Sequence, residues 1–394
     1  MLVCAAILVA RRPAQLRNPQ LWAEEGTIWY AEAHTMGARA LLRSFGGYLN
    51  TTQRVVAALA QWADPARVPA IFVTAAFLLT IYVAARTQSG RFPLPPSVGY
   101  ALAVVLVPDT FEVLLFLNNI DRITAAGLIL VLLSRDARRW WEHAHDFAAT
   151  VLFGLTGPYC ILFAPLFVWR ALRRRTRASV AVAVLVTGCA LIQGTLIGLH
   201  ERGKLADAGP VAMGYGKVEP GRILAVPGMR VAGSLFVGSR VPADYSLPVE
   251  TALGIGVLAF VGYLVLRRGT ARTERAWLGV AFLLVVAAGL YRCRLVLPDM
   301  CHAVYGNRYF YFPQLMVLWL LVALAAEGRR WRSWGAAALL VWMFAVNLPR
   351  LREPGLPDMR WGDYAARIRA GEAVEIPTNP GGVEPWIVKL PARK

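Results

Sequence analysis

The chain is dominated by apolar runs of about 20 residues, the length that crosses the hydrocarbon core of a bilayer as an α-helix. Helices satisfy their own backbone hydrogen bonds where water is absent, so such runs predict transmembrane helices. Eight of them lie between arginine clusters and loop signals, at 67–86, 97–115, 119–134, 178–199, 249–266, 276–293, 309–326 and 333–348. We therefore expect an all-α polytopic membrane protein. The composition agrees, because 57% hydrophobic and 17% charged residues give more apolar surface than a water-soluble domain needs to bury.

Two further apolar stretches are irregular. The run 147–174 is bounded by arginine-rich segments and broken at Gly157-Pro158, which predicts a hairpin of two short helices. At the N-terminus, ten apolar residues precede Arg11-Arg12 and would form about 15 Å of helix, half a bilayer. We expect a stub or a late start codon there and not a cleaved signal peptide, since no basic segment comes first.

Positive charge in the short loops predicts the orientation of the helices. The dense arginine falls in five loops that we place in the cytoplasm, at 87–96, 135–146, 170–177, 267–275 and 327–332. The alternate connections then lie outside, including the long segments 11–66 and 200–248. Ten or eleven crossings, with the N-terminus inside and the C-terminus outside, satisfy every cluster.

This topology divides the chain into a transmembrane domain, 1–348, and a small outside segment, 349–394. The Gly/Pro-rich loop 200–248 is either a lid or acceptor surface or a loosely packed cap. In the tail, the pattern predicts a short helix at 364–370 and a strand at 386–390.

The net charge of +18 does not indicate a nucleic-acid partner. Arginine and lysine lie mostly at the ends of the apolar runs, where they anchor helices to the headgroups of membrane lipids. Cys293 and Cys301 flank an outside loop and could pair in an oxidising compartment. The sequence has no Walker loop, dinucleotide fingerprint or Cys/His zinc motif.

Three segments on the predicted outside face carry polar residues that could perform chemistry. The first contains Glu24 and Glu25 in an aromatic-rich stretch after the first span, and the second contains Asp109, Glu112, Asn118, Asn119 and Asp121 at a turn between two spans. A carboxylate at either place could act as a general base, a metal ligand or an acceptor for sugar hydroxyls. The alternatives are a capped helix N-terminus for the first segment and a solvated polar turn for the second.

The third segment runs from Arg292 and Arg294 to Arg308 and Tyr309, at the start of a late span. Arginine presents planar, bidentate donors that match a phosphate group. The alternative is an aromatic girdle with one arginine extending to the headgroups. The three segments together place carboxylates and guanidinium groups on the same predicted side of the membrane.

These features resemble the GT-C superfamily of polytopic membrane glycosyltransferases, most closely bacterial members with a Trp-Ala-Glu-Asp-Gly-like first loop and a Glu-Val…Asn-x-x-Asn-x-x-Trp-like second loop. Here the stretches are Trp22-Ala23-Glu24-Glu25-Gly26 and Glu112-Val113 through Asn119, with an Arg308-Tyr309-Phe310 start to the late span. Two positions depart from the pattern. Glu25 stands in place of Asp, and Asp121-Arg122 replaces the aromatic residue of the second loop.

The resemblance implies a sugar transferase of the bacterial inner membrane with a periplasmic active face. It would take a polyprenyl-phosphate sugar as donor and a cell-envelope glycan or lipid as acceptor. Glu25, Glu24 and Glu112 would be catalytic, and Arg308 with Tyr309, Asp109, Asn118, Asn119, Asp121, Arg292 and Arg294 would bind substrate. No cofactor is required, although a divalent Mg or Mn ion is an open alternative. The competing functions are a transporter or flippase of lipid-linked saccharide and an O-antigen polymerase or ligase.

Overall fold

The computed structural model describes residues 1–108, 110–205, 219–238, 245–269, 271–302, 306–328, 331–381 and 386–392. The described chain is mostly helical, with one antiparallel pair of short strands near its end. The helices of the first half are α1 (Leu2–Arg11), α2 (Pro13–Arg17), α3 (Ala31–Met36), α4 (Thr51–Ala60), α5 (Val68–Arg86), α6 (Gly99–Leu106), α7 (Asp121–Leu133), α8 (Trp140–Gly154) and α9 (Tyr159–Arg174). Those of the second half are α10 (Arg177–Glu201), α11 (Ala225–Pro227), α12 (Leu247–Leu266), α13 (Arg272–Arg292), α14 (Leu297–His302), α15 (Asn307–Ala326), α16 (Trp331–Leu351) and α17 (Trp361–Arg369).

Six helices are long and apolar enough to cross a membrane, counting only the described residues. They are α5 with the turn that precedes it, α10, α12, α13, α15 and α16. Each coincides with a run predicted from the sequence. The hairpin predicted at 147–174 is confirmed as α8 and α9, which are separated at Leu155–Pro158.

The run 97–115 was predicted as one span, and this prediction is wrong. Helix α6 ends at Leu106, and the chain then turns through a non-helical segment. Arg11 accounts for the early end, because its guanidinium donates to the carbonyl oxygens of Val105 at 2.7 Å and Val107 at 2.9 Å. Both carbonyl oxygens therefore have a partner without a further helical turn. Pro108 follows directly and has no N–H group with which to continue the helix.

Helix α15 forms the centre of the bundle. Every residue from Phe310 to Leu324 is buried, and the helix packs against α6, α7, α12, α13 and α16. The peripheral helices instead expose large apolar side chains, among them Val184 and Leu191 on α10 and Val341 and Trp342 on α16. Large apolar side chains exposed on the outer helices are typical of a surface that contacts lipid or another apolar partner.

The described part of the loop 200–248 is a packed helical segment and not a loose cap. Residues 225–237 are helical and lie against α12, where Gly228 and Gly254 allow the two backbones to touch. A Cβ atom on Gly254 would overlap the carbonyl oxygen of Leu224. The buried Arg230 then joins this segment to the start of α15 by donating to the side-chain oxygen of Asn307 at 2.5 Å.

The C-terminal tail has the two elements predicted for it. Helix α17 covers the predicted 364–370 apart from Ala370, and the predicted strand is β2 (Trp386–Leu390). Strand β2 pairs with β1 (Val374–Thr378), which was not predicted, in the register Val374 with Leu390. The sheet packs against the segment that follows α2, where Trp22 forms a bridge with Asn379.

The cysteine pairing considered for the outside loop does not occur. Cys293 and Cys301 are both buried free thiols, as are Cys4, Cys160 and Cys189. Burial in apolar surroundings explains Cys4, Cys160 and Cys189, since cysteine behaves there as a small hydrophobic side chain.

The contact between Gly228 and Gly254 gives a stability test with a matched control. Gly254→Ala should destabilise the protein by about 1–3 kcal/mol, because the added methyl group has to force the backbones apart. Gly256→Ala, two residues along α12, meets no atom within 4 Å and should leave stability unchanged or raised. Thermal unfolding of the two purified variants measures the difference. Equal melting temperatures would show that the backbone contact does not exist.

Candidate functional site

Glu25 connects the first two predicted segments. Its Oε2 atom accepts a hydrogen bond from the backbone N–H of Trp22 at 2.8 Å. Its Oε1 atom accepts from the backbone N–H groups of Leu117 at 2.5 Å and Asn118 at 3.0 Å. One buried side chain therefore fixes the turn that carries the second segment to the segment that follows α2.

This arrangement leaves Glu25 poorly suited to act as a base. Both carboxyl oxygens already accept backbone hydrogen bonds, and the side chain is 1% exposed. Burial raises the pKa of its carboxyl group to about 8, because the loss of water outweighs the backbone donors that lower the pKa. A raised pKa by itself would favour a general base, so it is the enclosed geometry that makes Glu25 unsuited to that role. The neighbouring Glu24 is half-buried, and no hydrogen bond or ion pair to its side chain occurs within the described ranges.

An ion pair joins the second predicted segment to the third. Glu112 Oε2 lies 2.7 Å from Arg308 Nη1, and both side chains are about a quarter exposed, at 25% and 22%. The amide of Asn119 donates to the backbone oxygen of Glu112 at 2.9 Å and closes the turn. The structure thus brings all three predicted segments to one end of the bundle.

Tyr309 continues this network towards a buried ion pair. The guanidinium groups of Arg308 and Arg122 lie over its ring, 5.3 and 5.2 Å from the centroid. Such contacts between cations and aromatic rings strengthen when they are withdrawn from water. Arg122 in turn donates to Oδ2 of Asp121, and both residues are buried at the start of α7.

Asp121 keeps one carboxylate oxygen without a protein partner. Its Oδ1 atom is buried, and none of the residues that the structure describes donates a hydrogen bond to it. A buried, unsatisfied carboxylate oxygen is costly, so a native structure that retains one calls for an explanation. The Oδ1 atom is enclosed by protein, while Asp121 itself contributes to the lining of the cavity described below.

The break at Gly157-Pro158 packs directly against Asp121 and helps to fix its position. Gly157 has a positive φ of 77°, and a Cβ atom there would lie 3.0 Å from Asp121 Cβ. Glycine is therefore required both by the backbone conformation and by the closeness of the aspartate. The break is itself fixed by hydrogen bonds from Gly157 N–H to Leu49 O at 3.0 Å and from the Gln193 amide to Gly157 O at 3.1 Å.

A cavity of 300 Å³ opens beside Asp121 and Arg122. Its polar lining comes from the 46–48 turn, the starts of α7, α9 and α15, and the ends of α10 and α13. The polar and aromatic lining residues are Tyr48, Asp121, Arg122, Tyr159, His200, Glu201, Tyr291, Arg292 and Tyr309. An apolar side is formed by Ile161, Leu162, Ile197 and Val285.

Tyr48 retains its proton in this cavity at physiological pH. Burial and then the nearby Asp121 raise the pKa of its hydroxyl to about 12, although Arg122 acts in the opposite direction. The phenol is therefore available as a hydrogen-bond donor to an anionic group. The sequence did not predict that Tyr48 lies next to Asp121, because the 46–48 turn carries no polar cluster.

Only some of the predicted residues line the cavity. Asp121, Arg292 and Tyr309 line the cavity, whereas Glu25, Glu112, Asn118, Asn119 and Arg308 form the network behind it. Arg294 folds back on its own turn, where it donates to Tyr291 O at 2.8 Å and lies 4.3 Å from the centroid of that ring. Asp109 lies outside the described residues.

Sequence reasoning did not select Arg122, Tyr48, Tyr159 or His200 as site residues. Two of them carried a usable signal, since Arg122 directly follows Asp121 and Tyr159 directly follows the Gly157-Pro158 break. A divalent metal fits this site poorly. Asp121 and Glu112 are each paired with an arginine, and no group of three or more His, Cys, Asp or Glu side chains converges in the described part of the chain.

Comparison of the chain with protein-family models, with curated proteins and with solved structures finds no match. The geometry of the cavity therefore has to support any functional proposal by itself.

The role of Glu25 can be tested by a graded pair of substitutions. In Glu25→Gln, one of the carboxyl oxygens becomes an NH₂ group that faces a backbone donor, and we expect a loss of about 1–3 kcal/mol of unfolding free energy. Glu25→Ala removes all three hydrogen bonds and should lose more.

Glu24→Gln is the matched control, with an expected change of at most about 0.5 kcal/mol. The measurement is thermal or denaturant unfolding of the purified variants. A Glu25→Gln protein as stable as the Glu24→Gln protein would contradict the positioning role of Glu25.

Proposed function

We propose that the chain is a membrane glycosyltransferase that transfers a sugar from a polyprenyl-phosphate donor to a cell-envelope glycan or lipid. The observation that carries the proposal is the cavity in which Asp121, with one unsatisfied oxygen, lies among arginines and tyrosines and beside an apolar wall. A lipid-linked sugar needs each of these parts: a base, an anion site and a route for the lipid.

The membrane placement rests on the six long apolar helices and on the alternation of the loops. Helix α9 begins at the cavity with Tyr159 and ends among arginines with Arg174, and α10 returns from that end to His200. The arginine-rich short loops therefore lie at the end opposite the cavity. By the positive-inside rule the cavity faces outward, with ten or eleven crossings and the N-terminus inside.

The anion site is formed by charge and by helix ends. Arg122 and Arg292 line the cavity, and α7, α9 and α15 all begin there. The backbone N–H groups of a helix N-terminus are favourable for a phosphate, and arginine adds bidentate donors. This cluster would hold the donor phosphate and stabilise its charge as it leaves.

The base in this proposal is Asp121. The acceptor hydroxyl oxygen attacks C1 of the sugar, the bond between C1 and the phosphate oxygen breaks, and the hydroxyl proton passes to the carboxylate. The products are the glycoside with inverted configuration and polyprenyl phosphate. Tyr48 and Tyr159 border the same space and would orient the sugar or the phosphate as donors.

Glu25 acts in this scheme as a positioning residue. It holds the turn that carries Glu112, and Glu112 holds Arg308 against Tyr309. Glu24, whose carboxylate has no partner among the described residues, is the alternative base. The apolar wall formed by Ile161, Leu162 and Val285 would receive the polyprenyl chain between α9 and α13.

Transfer from a polyprenyl-phosphate hexose, radiolabelled in the sugar, tests the proposal on the full-length protein in vesicles that contain cell-envelope acceptors. Asp121→Asn should lower transfer by about 100-fold or more, because it removes the base and keeps the shape. Exposed Asp363→Asn, on α17, should leave transfer unchanged.

Glu24→Gln separates the two candidate bases. Loss of transfer in Glu24→Gln together with full activity in Asp121→Asn would move the base to the first segment. If the wild-type protein carries the labelled lipid across the bilayer and forms no new glycosidic bond, the flippase function replaces the transferase. Joining of preformed oligosaccharides, without use of single sugars, would indicate the polymerase or ligase.

A further inference from the structure

A second and larger cavity lies at the opposite end of the bundle, with a volume of 980 Å³. Three of the arginine-rich short loops converge to form it: the turn after α5, the loop before α8 and the turn between α9 and α10. The function proposed above makes no use of this cavity.

The lining is strongly basic. It includes six arginines and two carboxylates, together with His145 and Thr176. The arginines are Arg86, Arg91, Arg135, Arg138, Arg139 and Arg174, and the carboxylates are Asp136 and Glu142. Like charges that share one cavity repel each other, so the arrangement favours an anion from outside the chain.

The acidic residues nearby neutralise only part of this charge. Asp136 pairs with Arg174 at 2.9 Å, and Asp146, just behind the lining, pairs with Arg91 at 2.5 Å. The Glu142 carboxylate accepts from the backbone N–H groups of Arg138 and Arg139, at 2.7 and 3.1 Å, and so caps α8.

Four of the six guanidinium groups have no acidic partner among the described residues: Arg86, Arg135, Arg138 and Arg139. Of these, Arg135 and Arg138 are exposed. The backbone around Arg135 is nevertheless held in place, because Arg91 donates twice to the Arg135 carbonyl oxygen, at 3.0 and 2.9 Å. The two side chains are therefore presented on a fixed loop at the mouth of the cavity.

An apolar groove adjoins this basic cavity. It measures 280 Å³ and runs between α8 and α10, where Phe147, Val182 and Leu185 line it. Phe147 is 55% exposed, although it is a large apolar side chain. The Arg170 and Asp146 side chains line the groove and pair with Asp136 and Arg91 of the basic cavity, so the two spaces are adjacent.

We propose that this composite site binds an anionic phospholipid, with the phosphate headgroup among the arginines and an acyl chain along the groove between α8 and α10. A phosphate accepts the paired donors of arginine forks, and basic pockets between membrane helices suit anionic headgroups. The adjoining groove favours a lipid over a free phosphate, which has no apolar part. The proposal rests on the membrane placement above and not on sugar transfer.

The test is lipid retention by the full-length protein, purified from vesicles of phosphatidylglycerol and phosphatidylcholine and analysed by native mass spectrometry. The wild-type protein should retain phosphatidylglycerol selectively. Arg135→Gln combined with Arg138→Gln should weaken this retention by about tenfold, since two charge-assisted contacts are lost. Arg268→Gln combined with Arg272→Gln removes the same charge from exposed positions outside the cavity and should change retention by less than about twofold.

A second double variant controls for loss of folding. Arg135→Lys combined with Arg138→Lys keeps the charge and removes the bidentate fork, so retention should fall to a value between those of the wild type and the glutamine pair. Equal losses in the Arg135/Arg138 and Arg268/Arg272 glutamine pairs would overturn the proposal in favour of diffuse surface charge. Inorganic pyrophosphate is the soluble probe. If it binds the cavity as tightly in detergent as phosphatidylglycerol does, the occupant is a free phosphate and the lipid proposal fails.

Discussion

The candidate site depends on the hydrogen bonds of a single buried carboxyl group. Glu25 joins two segments far apart in sequence by accepting hydrogen bonds from the backbone at Trp22, Leu117 and Asn118. With that turn fixed, Glu112 reaches Arg308, and Arg308 reaches the ring that Arg122 also covers. The charged side chains beside the cavity are therefore held in place by backbone donors that are themselves withdrawn from water.

Much of the fold could be predicted because it depends on short, continuous stretches of sequence. A run of apolar residues must become a helix in an apolar environment, and Gly157-Pro158 interrupts a helix whatever surrounds it. The end of α6 depends on both kinds of information, because Pro108 is visible in the sequence whereas the contact with Arg11 is not. Arg11, nearly a hundred positions earlier in the chain, donates to the last carbonyls of α6.

In the candidate site, too, some features follow from neighbouring residues and others from contacts between distant parts of the chain. Polar residues at the ends of apolar runs marked the correct segments, so Asp121, Arg292 and Tyr309 could be selected. Their individual roles could not, since the number of protein donors that reach a carboxylate is a property of the assembled structure. Glu25 and Asp121 read alike in sequence, yet the first is surrounded by donors and the second keeps an unsatisfied oxygen.

The tail strand has a consequence for the order in which the protein is assembled. Val388 lies against Gly26, where a Cβ atom would come within 2.5 Å of its side chain, and Thr378 donates to Leu21 O at 3.0 Å. The segment that carries Glu25 is synthesised long before its strand neighbours, since Thr378 follows Leu21 by 357 positions. The packing behind Glu25 is therefore completed only after both tail strands have been synthesised. A chain cut short near its C-terminus would keep its helices and lose the packing behind Glu25.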